Sequence, residues 1–303
     1  MKNAKMTKYT VILIYCFTLF FNHAIGQTFK QQFNELMNKK DTFEQYKILK
    51  KWETVNSNDP ELYVAYFNYY IEKSIKDVMI YNKAYADSNH ILKDPFKELN
   101  YIQLYDETEL EKGFLAIEKG INKFPTRLDM RLGKIYMYGE RQNFKNFTDE
   151  IIKVIDYSVE IDNKWLWTDN KPADDIAMGE AIQKYFVELY SFYLSNEEET
   201  ELIGYMEKIP LAVLRNYPDR VVSLSNLSIV YLLKNEFDKA LEVLLKAEKL
   251  EPTDHVILLN IAQTYEQKEN YKQAIKYYNL TMKYGDEEEK EFAKKKVKDL
   301  KKK

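Results

Sequence analysis

The chain has 303 residues, with 45 Lys and Arg against 48 Asp and Glu and a formal charge of −3. That mild balance argues against a dedicated nucleic-acid binder, and eight Gly with seven Pro suit long helices joined by short turns. Cys16 is the single cysteine, which excludes a disulfide framework and a thiolate metal site.

Residues 1–26 read as a secretory signal. Lys2, Lys5 and Lys8 precede an apolar run from Val11 to Phe21, followed by Asn22-His23 and small residues ahead of Gln27. The run is about half of the ~20 residues that a spanning helix requires. Cleavage after Gly26 is therefore expected, rather than retention as an anchor. Tyr15 is too bulky to precede a lipoprotein cysteine at Cys16. Losing three lysines and no acid takes the charge from −3 to −6. The expected mature chain has no thiol and no stable membrane span, and its location is the periplasm or cell envelope, or outside the cell. Its length, roughly 277 residues, is enough to hold together by core packing alone.

From residue 27 to 220 the pattern is helical and irregular. "TFKQQFNELMNKK" and "DTFEQYKILKKWETV" make a first helical pair, and "DPELYVAYFNYYIEKSI" opens a second. A helix is predicted over about 107–123. In "PTRLDMRLGKIYMYGERQNF", Leu132, Gly133 and Tyr136 have first-helix spacing, followed by an amphipathic stretch from Phe147 to Val159. "DNKWLWTDNKPADD" reads as a loop inserted between hairpins. "AIQKYFVELYSFYLSN" and "ETELIGYMEKIPLAVLRNYPD" form a further pair, with Pro210 expected to kink the second helix. No segment is predicted to be a strand.

The C-terminal third repeats itself. At a shift of 34 residues, Leu224, Asn226, Leu227, Ser228 and Tyr231 align with Leu258, Asn260, Ile261, Ala262 and Tyr265. Phe237, Ala240 and Leu244 then align with Tyr271, Ala274 and Tyr278. Apolar or small residues at i, i+3, i+4 and i+7 mark one helix face. Each unit holds two helices around the turn "LKNEF" or "QKENY". Ser228 and Ala262, with Ala240 and Ala274, let the paired helices approach. Pro252 ends the first unit.

This pattern over residues 221–286 resembles the tetratricopeptide repeat, with departures at Thr281, where the family usually has Ala, and Asp286, where it usually has Pro. Such a unit cannot bury its apolar face alone. The expected fold is therefore all-α, an α-α superhelix of about six hairpins, with residues 287–303 as a capping helix. In that helix, acids at Asp286–Glu289 and lysines at Lys296–Lys303 complement the helix dipole. The abundant tyrosines, among them Tyr66, Tyr69, Tyr136, Tyr185, Tyr231, Tyr265 and Tyr278, are expected to plug gaps between helices.

The resemblance also implies a function: stacked first helices line a groove that holds a peptide or a partner helix. Asn226 and Asn260 stand in register there, and an amide can bond a peptide backbone through both its donor and its acceptor. Ile229 and Gln263 should face the same way. Val222, Val256, Ser225 and Leu259 stand where family members that grip a C-terminal carboxylate need Lys or Arg, which argues against that specialised activity. Trp165 and Trp167, two apart, are the alternative site: in an extended segment both rings would face one way and stack on a sugar. More often such a pair seals a gap between uneven repeats.

No motif for chemistry stands out. The glycines do not cluster into a phosphate loop, and there is no His-Glu-x-x-His or Gly-x-Ser-x-Gly. His90 lies in the irregular "DSNHILKDPF", and His255 opens a first helix, where a capping or surface role is expected. Paired carboxylates on a helical frame could hydrolyse glycosides, but no pair is singled out. The expectation is a non-enzymatic scaffold for a protein or peptide partner, without metal or cofactor, and open to self-association through its end units.

Overall fold

The computed structural model describes residues 29–81, 99–174, 176–196 and 200–303. The signal segment, Cys16 and His90 lie outside them. The chain divides into two compact units. One holds the described residues up to Met130 together with Leu166–Lys171, and the other holds Arg131–Trp165 and Pro172–Lys303.

The first unit contains α1 (29–38), α2 (Thr42–Val55), α3 (Pro60–Ser74), β1 (Ile75–Tyr81), β2 (Leu99–Tyr105) and α4 (Glu107–Lys123). Its core forms around Trp52, fully buried and stacked on Phe29 with ring centroids 6.0 Å apart. Leu49, Leu62 and Ala65 complete it. Asp59 caps α3 by accepting the Glu61 N–H, and Pro60 follows in the first turn, where no N–H is needed for the helix. The same carboxylate accepts the Trp52 indole N–H at 3.1 Å, tying cap to core. α4 matches its predicted span and lies close against α3 because of its glycines. A Cβ at Gly120 would stand 2.8 Å from the Tyr63 Cβ, and one at Gly113 3.3 Å from Ile71.

Between α3 and α4 the prediction of no strand is corrected. β1 and β2 pair antiparallel, Ile75 opposite Tyr105 through Tyr81 opposite Leu99. Both runs are rich in Ile, Val, Leu and Tyr, types that suit a pleated strand. Seven residues each are too short for alternation to stand out beside long helices.

A buried ionic cluster closes this unit. Arg127, fully buried, makes a two-pronged contact with Asp129 (2.8 and 2.7 Å) and reaches Glu61 at 2.8 Å. Glu61 also accepts the Asp169 N–H at 2.8 Å and meets Lys30 at 3.0 Å. Burial opposes ionisation of Glu61, yet the Asp169 N–H, Arg127 and Lys30 together hold its carboxyl below the usual range. The short 3-10 turn Thr168–Asn170, with Asp169 left-handed at φ 58°, is thereby fastened to the start of α3.

The second unit takes up α5 (Leu128–Glu140), which begins in the first unit. It continues through α6 (Phe144–Glu160), α7 (Ala177–Ser195), α8 (Glu201–Asn216), α9 (Val221–Leu233) and α10 (Phe237–Leu250). α11 (His255–Gln267), α12 (Tyr271–Tyr284) and α13 (Glu287–Leu300) end it. From α8 onward each helix packs on the next, as in a solenoid. α8 runs through Pro210 as one element, its Met206 carbonyl lacking the usual i+4 donor. Ser228, Ala240, Ala262 and Ala274 are fully buried, as the close approach of paired helices requires. Thr281 is also buried and donates its hydroxyl to the Tyr277 carbonyl, so this departure from Ala leaves no polar group unpaired. Asp286 becomes the N-cap of α13 in a reciprocal box with Glu289.

Four hairpins share one turn. Lys40, Gln142, Asn235 and Glu269 each adopt a left-handed φ between 52° and 58°. The next residue donates its N–H five positions back: Asp41 to Leu36, Asn143 to Tyr138, Glu236 to Tyr231, Asn270 to Tyr265. This geometry ends the first helix by satisfying its last carbonyls, and Asp41, Asn143 and Asn270 cap the second. With α3/α4 and α7/α8, the described residues form six helical hairpins, the last of them, α11/α12, followed by α13, and apart from the β ribbon the described elements are helical.

Tyr69, Tyr185 and Tyr278 are buried between helices, with the Tyr278 hydroxyl on Glu266 and that of Tyr185 on the Leu132 carbonyl. Tyr66, Tyr231 and Tyr265 are half-buried, the last stacked on Tyr277 at 5.7 Å. Tyr136 is the exception, 51% exposed. Leu128 with Ile135 and Met130 with Met137, each pair seven residues apart, set the buried stripe of α5, and Tyr136 falls outside it.

Candidate partner-binding groove

The first helices of the last three hairpins, α7, α9 and α11, are joined by a polar ladder. The Asn226 amide donates to Gln183 Oε1 at 2.6 Å, and Gln183 returns a longer bond of 3.5 Å. Asn260 donates to Ser225 Oγ at 3.3 Å. The two rungs are equivalent: the Asn of one first helix reaches back to a polar side chain on the first helix before it. Exposure separates the two Asn. Asn226 is 8% exposed, its amide largely committed to Gln183, whereas Asn260 is half-buried and keeps more of its surface. An amide that donates one N–H retains a second N–H and carbonyl lone pairs.

Beside the first rung, α7, α8 and α9 enclose a cleft of about 440 Å³. Ile182, Ile209, Pro210, Val213 and Val222 supply apolar surface, while Gln183, Asn226, Glu180, Lys184 and Arg220 supply polar groups. Val222 is 47% exposed. Arg220 extends over α7, where a Cβ at Gly179 would lie 3.0 Å from its Nη2, so glycine leaves room for the guanidinium. The cleft thus combines an apolar floor with amides and an arginine, a set suited to peptide groups and an acidic side chain. Ile229 is half-buried on α9 and outside this lining. Gln263 lies on a second depression of about 410 Å³, with Leu232, Leu233, Phe237, Glu266 and Lys296. Burial works against the charge of Glu266, but the Tyr278 hydroxyl and Lys296 keep its carboxyl below the usual range.

The aromatic alternative does not survive as a pair. Trp165 is 3% exposed and packs on Tyr157 (centroids 5.6 Å apart) with the Arg131 guanidinium over its ring, all within the second unit. At that exposure its ring has no open face for a sugar. Trp167 is 39% exposed and belongs to the first unit. His255 stands at the start of α11 with Nδ1 2.6 Å from Glu289 Oε2, and that carboxylate raises its pKa above the ordinary value. Among the described residues no group of three or more His, Cys, Asp or Glu is placed to hold a metal, and no helix is long and apolar enough to cross a membrane.

Gln183 and Arg220 were not found by the sequence reading. Gln183 lies outside the 34-residue period, and Arg220 precedes the aligned segment. Aligning the buried stripe of α7 with that of α9 (Ile182 on Leu224, Tyr185 on Leu227) would have placed Gln183 on Ser225.

A family model for the tetratricopeptide repeat matches residues 222–254 and 256–280. Those two segments, α9 to α12, carry the repeat. No curated protein matches it in sequence. Among solved tetratricopeptide-repeat structures, YrrB, described as having an unusual peptide-binding site, is 13% identical with a TM-score of 0.42, covering 82% of this chain and 97% of that one. A thermophilic repeat protein of Thermus thermophilus, TTC0263, is 15% identical with a TM-score of 0.39, covering 63% and 92%. The Cut9–Hcn1 hetero-tetramer of the APC/C gives 12% identity and a TM-score of 0.35, the match covering 91% of this chain and 42% of that one. A match to this repeat supports a role in protein–protein interaction.

Proposed function

We propose that the chain is an exported, non-enzymatic scaffold whose α7–α8–α9 cleft and α7–α9–α11 ladder receive a peptide segment or helix of a protein partner. The observation that carries this is the cleft itself: exposed Val222 beside an arginine and an amide pair, on the first helices of adjoining hairpins. The mechanism is equilibrium binding. Apolar side chains of the guest displace water from Ile209, Val213 and Val222, while Arg220 and the ladder amides bond its polar groups. Export is supported by the signal-like residues 1–26 and places the partner in the periplasm or cell envelope.

The test is crosslinking and affinity capture from the native envelope with the mature chain and two variants, Val222→Glu and Asn260→Ala. Both positions are accessible enough to change without emptying the core. Val222→Glu is expected to reduce recovery of the principal partner about tenfold, the equivalent of one lost apolar contact with a new desolvated charge. Asn260→Ala is expected to reduce it about threefold. Undiminished capture by both, with circular dichroism unchanged, would place the interface elsewhere. N-terminal sequencing of the envelope form should begin at Gln27; an intact Met1 there would mean retention as an anchor, and recovery of the chain from the cytoplasm alone would remove the export reading.

A further inference from the structure

The first unit carries a second cleft built from other residues. α2, α3 and α4 enclose about 260 Å³. On α3, Tyr63, Tyr66 and Tyr70 fall on one face, with the Tyr66 and Tyr70 rings nearly parallel and 6.2 Å apart. Tyr66 commits its hydroxyl to Glu53, and Tyr63 to the Ser57 carbonyl. The opposite wall is α4. Its Lys112, Leu115, Ala116 and Lys119 recur at i, i+3, i+4 and i+7, so an exposed leucine stands between two lysines. At a rise of 1.5 Å per residue those two lysines are about 10 Å apart along the helix.

Charge selects the guest. The ammonium groups on this lining are Lys50, Lys112 and Lys119. Lys50 meets Glu53, the sole carboxylate on the lining, which also accepts from Tyr66. Lys112 meets Glu109 one turn back on α4 at 2.9 Å, an exposed pair that a guest carboxylate can replace, so three ammonium groups face two carboxylates. Apolar surface refines the choice. Leu115 and Ala116 between the lysines, facing tyrosine rings, favour an apolar side chain, which a uronate polymer lacks. We propose that this cleft binds a protein segment that sets one apolar side chain between two carboxylates about 10 Å apart.

The probe is a fluorescein-labelled synthetic peptide of Glu, Leu and Ala with a central Leu between two Glu on one helical face, titrated with the mature chain by anisotropy. A Gln-for-Glu version is the control. The acidic peptide is expected to bind in a salt-sensitive manner, and the surface variant Lys112→Glu/Lys119→Glu to weaken it at least tenfold with helicity unchanged. Reversal of two exposed lysines of α13, Lys295→Glu/Lys298→Glu, should leave binding within a factor of about two. Asn260→Ala should do the same. Equal binding of the Gln peptide overturns the proposal, as does undiminished affinity in the Lys112/Lys119 variant. Loss of binding in either control variant also overturns it, as does displacement by polygalacturonate as effective as by unlabelled peptide.

Discussion

At the scale of single residues, charges with defined partners make the sharpest predictions. His255 has a raised pKa because the Glu289 carboxylate stands at its Nδ1. A group whose folded pKa is raised contributes stability that is complete below its unfolded value and is lost as pH rises through the folded one. The contact joins α11 to the start of α13 and is partly exposed, so its worth is about 1 kcal/mol or less. His255→Gln should lower the melting temperature slightly at pH 5.5 and leave it unchanged at pH 8.5, as read by thermal circular dichroism. Arg127 is the opposite case, fully buried among Glu61 and Asp129. Arg127→Ala removes the two-pronged partner of Asp129 and one of the partners of Glu61, which keeps Lys30 and the Asp169 N–H. It should cost about 3 kcal/mol, seen as a fall in the urea midpoint. Neither partner set was legible in the sequence. Asp129 lies two residues from Arg127, but Glu61, Lys30 and Asp169 come from distant segments brought together only by folding.

At the scale of elements, the shared turn explains why hairpins with little sequence in common close alike. The left-handed position holds Lys, Gln, Asn and Glu in turn, so no glycine or other residue type marks it. What recurs is a backbone hydrogen bond, which leaves no direct trace in side-chain identity. A non-glycine residue in this region costs about 1 kcal/mol or more. Glu269→Gly relieves that strain, though it also makes the unfolded chain more flexible, and should raise stability by about 0.5–1 kcal/mol in chemical denaturation. A decrease would mean that the Glu269 side chain contributes more than its backbone costs. The helices themselves were largely readable: α4 and the two aligned repeats follow apolar periodicity. The β ribbon and the face of α5 were not. Short strands compete poorly with long helical patterns, and the preference for burying Tyr136 was overridden by the stripe that Leu128, Met130, Ile135 and Met137 make together.

At the scale of the whole molecule, repeats depend on their neighbours, and the last one depends on α13. Ala293, Val297 and Leu300 are buried in the core cluster of α10–α12, and Phe292 meets Tyr278 edge-on at 6.3 Å. Deleting residues 287–303 should remove about 2–4 kcal/mol, after allowance for the ordering of the helix. It should also expose an apolar end, so dye binding should rise and sedimentation shift toward dimers. A truncated chain as stable and monomeric as the parent would show that the twelfth helix is already a sufficient end.

The sequence by itself determined the helical class, the 34-residue repeat and the capping role of the last segment, because each rests on periodicity along one chain. It also put Asn226 and Asn260 at equivalent positions. Tertiary structure alone decided that Asn226 is committed to Gln183 while Asn260 keeps surface, that Trp165 is sealed away, and which side chains meet around each cleft. Hydrogen-bond partners and exposure depend on distances between helices, and a one-dimensional pattern specifies which face is buried without specifying what lies across from it.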